Sequence, residues 1–96
     1  MIPAPILPLI RRAILDLLND IGGEQNDDVL TLLLAELGHR VARRDIAEQL
    51  AWLADAGLIE NADLGPYKVA RILADGRDIA DGRLTVDGVW RHKTGD

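Results

Sequence analysis

Four residues, Gly38 to Val41, separate two stretches whose apolar residues recur every three or four positions, and this short link constrains the fold more than any other feature. Before the link, Val29, Leu30, Leu33, Leu34 and Leu37 share one helical face, which predicts a helix over 27–37. Asn26 is placed to cap it, and Asp27 and Asp28 fall in the first turn, where the helix dipole favours negative charge. After the link, Ile46, Leu50 and Leu53 are spaced four and three apart, which predicts a helix over 42–56 with that side buried. Gly57 suits the residue just past its end, and Leu58 can fold back on the last turn. Two amphipathic helices joined by a short glycine-containing link form the helix-turn-helix pattern.

The flanking segments extend that pattern. Upstream, Pro8 suits the first position of a helix over 8–21, and Gly22-Gly23 ends it. Ile6, Ile10, Ile14, Leu17 and Ile21 form its stripe, with Leu7, Leu15 and Leu18 on or beyond the stripe's edge. An apolar arc that wide allows two readings: burial between two neighbouring elements, or a homodimer face through Leu7, Leu15 and Leu18. Downstream of Gly57 the period changes. Leu58 to Asn61 reads as a short strand, Asp63 to Pro66 as a turn, and Tyr67 to Leu73 as a second strand carrying Val69 and Ile72. The expected hairpin covers 58–73, with a wing loop from Asn61 to Pro66. The expected fold is therefore mainly α with a small β-hairpin: one winged helix-turn-helix domain of three helices plus wing. In the extension, 74–96, Asp75 can cap a short helix through Ala80, Leu84 to Trp90 reads as extended, and His92 to Asp96 as frayed. Trp52 and Trp90 are expected to pack with the wing or tail over the core.

Aromatic residues are 3% of the chain, so a core must be built from Leu, Ile, Val and Ala. The absence of Cys excludes disulfides and thiol chemistry and fits a reducing, cytoplasmic setting. Ser is also absent, which excludes a serine nucleophile. His39 and His92 lack a second ligand at metal-binding spacing, and Asp75, Asp78 and Asp81 do not match a calcium loop. No cofactor, no membrane span and no enzymatic activity are expected.

The residues best placed to bind something are Arg40, Arg43 and Arg44, at the turn and the start of the third helix. In a helix-turn-helix the first residues of the second helix reach DNA base edges, and Arg suits guanine and phosphate. Gln49 lies to one side, where it could reach a base, while Lys68 and Arg71 on the second wing strand could touch phosphate. Against this stand the net charge of −5 and the acids Asp45, Glu48 and Asp55 on the same helix. Arg44 and Glu48, four apart, are spaced for an ordinary surface pair.

The stretch HRVARRDIAEQLAWLADAGLI, His39 to Ile59, resembles the third helix and following strand of ArsR-type winged-helix regulators. More broadly, the chain is similar to small winged-helix proteins of Mu-like transposable phages and prophages. The residues that carry this are Gln49 to Leu53, Leu64 to Tyr67, Gly76 to Arg83 and Gly88 to Arg91. The resemblance implies a phage or prophage origin and a dimer. Metal sensing of the ArsR type is not implied, because its Cys or clustered His ligands are missing. Ala42 also stands where a Ser or Thr cap is usual. Two functions are thus expected: DNA binding as a regulator, or a protein-interaction adaptor with a phage or host partner in gene expression or particle assembly.

Overall fold

The computed structural model describes residues 1–93. After a short 3-10 turn at Ala4–Ile6, the elements are α1 Leu7–Asp20, β1 Glu24–Asn26, α2 Asp27–Glu36 and α3 Arg43–Asp55. They are followed by β2 Ile59–Leu64, β3 Tyr67–Ile72 and α4 Ala74–Ala80. The result is a small α+β unit with four helices and one antiparallel sheet in the order β1-β3-β2, an arrangement compatible with a winged helix. No helix among the described residues is long and apolar enough to cross a membrane.

The helices end as their sequences dictate. At the close of α3 the Gly57 amide donates to the Ala54 carbonyl and the Leu58 amide to the Leu53 carbonyl, both at 3.0 Å. This paired ending satisfies carbonyls that the helix itself leaves free, and it turns Leu58 into the core. The starts are less uniform. Asn26 caps α2, its side-chain oxygen accepting from the Val29 amide at 2.8 Å, whereas Ala42 gives α3 no side-chain cap.

Two strand expectations change. Asn61 to Leu64, expected as part of a loop, pair through to Tyr67 and leave only Gly65-Pro66 as the turn. Glu24–Asn26, three polar residues with no strand signature, form a third strand opposite Val69–Arg71. The Ile72 amide also donates to the Gly23 carbonyl at 2.8 Å. These residues pair because the turn after α1 brings their backbone beside β3, whatever their side chains.

The face of α1 that is buried also differs from the expected stripe. Ile10 and Ile14 are fully buried as expected, but so are Leu15 and Leu18, while Ile6 and Ile21 are exposed at the two ends. Leu15 and Leu18 therefore leave no side-chain surface for a second copy, and Leu7 packs partly buried against the same core. The expected dimer face through these three residues is corrected to a core face. The physical reason is α4, which covers α1 from the far side. A Cβ on Gly76 would fall on the Leu58 carbonyl oxygen and lie 3.3 Å from the Leu15 side chain, so only glycine permits this approach.

The segment after α4 pairs with no strand up to Lys93, and a turn at Asp87-Gly88 interrupts it, as the glycine there led one to expect. It runs back across α1, where the Trp90 amide donates to the Pro8 carbonyl at 3.1 Å. Val89 enters the core, while Trp90 stays half-exposed instead of closing over it. The expected fraying of His92 to Asp96 falls mostly outside the described residues.

Candidate nucleic-acid interface

The start of α3 and the tip of the β2–β3 hairpin are joined through one buried carboxylate. Asp27 opens α2, and its side chain accepts from Arg43 Nε and Nη2, each at 3.2 Å, and from the Lys68 amide at 3.4 Å. Burial alone would raise the Asp27 pKa. The Arg43 hydrogen bond, the Lys68 amide and the Arg43 charge outweigh that and hold it below the ordinary aspartate value. Arg43 continues outward. Its Nη2 donates to the Pro66 carbonyl at 2.6 Å, and its guanidinium sits 5.2 Å from the centre of the Tyr67 ring. One arginine thus fastens helix, turn and hairpin tip together.

The six residues expected to face nucleic acid are divided by the structure. Arg40 and Arg44 are exposed and make no ion pair among the described residues, so the Arg44–Glu48 surface pair is not formed. Arg43 is partly exposed but engaged as just described. Lys68 is exposed, with Asp63 opposite it in register. Two residues do not belong to this edge. Gln49 is buried, its side-chain oxygen accepting from Arg11 Nε at 2.8 Å, so it cannot reach a base. Arg71 is three residues from Lys68 on a strand, which puts it on the opposite face of the sheet. There it lies in register with Glu24 and Glu60 and pairs with Glu60 at 3.1 Å. Its charge is answered within the fold.

Sequence reasoning missed Asp27 and Tyr67 as parts of this site. Asp27 reads as a routine first-turn acid, and only the tertiary fold brings Arg43, sixteen residues on, against it.

A second polar centre ties the tail to α1. Arg11 donates to Gln49 and, through Nη1, to the Gly88 carbonyl at 3.1 Å, and its guanidinium lies 3.8 Å from the centre of the Trp52 ring. Trp52 therefore packs against the tail, one of the two expected positions. Arg12 is 3% exposed. It pairs with Asp16 at 2.8 Å and donates to the Trp90 and Ala80 carbonyls, both at 3.2 Å.

No family model matches the chain, and no solved structure matches it. The chain is 36% identical over 83 residues to "Uncharacterized protein gp26" of Escherichia phage Mu, with 86% of each protein covered. The chain belongs to the gp26 family of Mu-like phages. The segments that carry the resemblance to phage proteins meet at the two centres just described. Gln49, Trp52 and Gly88 converge on Arg11, and Pro66 and Tyr67 on Arg43. Arg40, Arg44 and Lys68, which are exposed and form no ion pair among the described residues, neighbour Arg43 and Tyr67 in the chain.

Proposed function

We propose that the chain is a non-catalytic winged-helix protein that binds double-stranded DNA through the start of α3 and the adjoining hairpin. The observation that carries this reading is the Arg43 joint. It holds α3 and the hairpin tip as one edge, and Arg40, Arg44 and Lys68 near it are exposed and form no ion pair among the described residues. In a winged helix this edge faces the duplex, with the second helix of the helix-turn-helix against the major groove.

Three phosphate contacts imply weak, salt-sensitive binding. Each contributes about 0.9 to the slope of log affinity against log salt, so raising salt from about 50 to about 200 mM lowers affinity by roughly 40-fold. Fluorescence anisotropy with labelled random and phage-derived duplexes tests this. The expected outcome is a dissociation constant in the micromolar range at low salt, lost in the triple variant Arg40→Ala, Arg44→Ala, Lys68→Ala. Failure to bind any duplex at about 100 µM and low salt, weaker than typical non-specific binding, overturns the reading.

A second reading, a phage adaptor that binds protein, draws on a different observation. The net charge is −5, and Leu32 and Leu64 are each more than 60% exposed. Wild-type behaviour of the triple variant in the phage cycle favours it.

A further inference from the structure

We propose that the α3 edge takes duplex DNA of any sequence: it holds the phosphate backbone and reads no base pattern. This rests on the DNA-binding reading above and names the class of DNA that the edge accepts. Sequence is read by side chains that bring free donors or acceptors to base edges, whereas phosphate contacts carry no sequence information directly. The side chains of α3 that could do the former are already engaged. Gln49, the one amide on the helix, is 7% exposed and bonded to Arg11. Arg43 is committed to the Asp27 carboxylate and the Pro66 carbonyl. Trp52 lies beneath the Arg11 guanidinium.

The outermost line along α3 is Arg44, Glu48, Ala51 and Asp55, spaced four, three and four apart and all exposed. One cation against two carboxylates makes that line acidic, and neither carboxylate forms an ion pair among the described residues. A carboxylate can accept from cytosine, but two of them on one line oppose a helix lying lengthwise between walls of phosphate. Ala51 offers only a methyl group. The helix is therefore left to meet the duplex with its first turn. Arg44 alone is placed there to touch a base, since Arg40 stands in the link before the helix. One bidentate contact from Arg to guanine discriminates by up to about a hundredfold. Specific binders prefer their sites by roughly a thousandfold or more. An operator-bound regulator is thus the role this edge fits least, and one that handles duplex wherever it lies is the role it fits best.

The test is selection by the full chain, at low salt, from a library of random-sequence duplexes, followed by anisotropy on the selected and starting pools. The expected result is that the starting pool binds and that no selected duplex binds more than about a hundredfold more tightly, the most that one contact from Arg to guanine supplies. The variant Glu48→Gln is expected to weaken binding to none of the selected duplexes and to leave the circular dichroism spectrum unchanged. A duplex preferred by more than that margin overturns the inference and leaves the DNA-binding reading standing. So does a fall in affinity of Glu48→Gln confined to duplexes that share a cytosine, because Glu48 is then a base reader. Failure of every pool to bind overturns the DNA-binding reading and the inference with it.

Discussion

The dipeptide Arg-Arg occurs twice in this chain, Arg11-Arg12 in α1 and Arg43-Arg44 at the start of α3, and the two pairs meet opposite fates. Arg12 is buried, and its guanidinium is used up on Asp16 and on two carbonyls of the tail. Arg11 is half-buried against Trp52, Gln49 and Gly88. In the second pair Arg43 divides its donors between a buried carboxylate and an exposed carbonyl, and Arg44 meets solvent alone. The difference lies in what covers each helix. The tail, residues 80–90, lies across α1 and needs donors for its free carbonyls. At the start of α3 the neighbours are the hairpin tip, held by Arg43, and the Met1 ammonium, 3.3 Å from Asp45, and Arg44 stays exposed beside them. Counting charges along a chain therefore misjudges its surface, because two of the arginines here belong to the interior.

The sharpest way to break this comparison is Arg12→Ala. Removing one partner of a buried ion pair costs about 3 to 5 kcal/mol, a large share of a small domain's stability. Urea unfolding followed by Trp fluorescence measures it, and a loss under about 1 kcal/mol would show that the first pair is not structural. Next comes Gly88→Ala. The residue holds φ +90°, and a Cβ there would lie 2.7 Å from the Trp52 ring and 3.1 Å from Arg11 Nη1. Overpacking of this kind costs about 1 to 3 kcal/mol, and the Trp emission spectrum should change as the ring is displaced.

A smaller effect is expected at the second pair. Because the folded pKa of Asp27 lies below its unfolded value of about 3.9, its ionic contribution is complete above that pH. The contribution is lost as pH falls through the folded value. Stability measured by urea unfolding should decline across this acid range in wild type and decline less steeply in Asp27→Asn. The smallest effect is Arg44→Ala. Unfolding should change by under about 0.5 kcal/mol, while the salt slope of duplex binding falls by about 1. A loss of stability matching that of Arg12→Ala would erase the distinction between the pairs.

Much of the fold was legible in residue spacing. The helix over 42–56 is observed as Arg43–Asp55 and that over 27–37 as Asp27–Glu36, with Ile46, Leu50 and Leu53 inward. Periodicity and the glycines after each helix are local signals, and they sufficed. The candidate site was legible only in part. Arg40, Arg44 and Lys68 are exposed as read, because exposure is the ordinary state of a cation. Gln49 and Arg71 were misjudged because their partners, Arg11 and Glu60, lie 38 and 11 residues away, and helical or strand phase alone does not show an internal partner. The wide apolar arc of α1 was visible, but its buried centre was not, since α4 had to be placed before Leu15 and Leu18 could be seen as core.

By itself, the order of residues determined where helices begin and end and that a hairpin follows them, because those choices depend on neighbours within a turn or two. The tertiary structure alone decided that Glu24–Asn26 would be a strand, that Arg12 would be interior and that Arg43 would bind the hairpin tip to α3. Each of these depends on groups between 16 and 78 positions apart, such as Arg43 with Asp27 and Arg12 with Trp90. Whether a polar group is buried and answered or left in water is settled by what packs against it, and that is a property of the assembled chain.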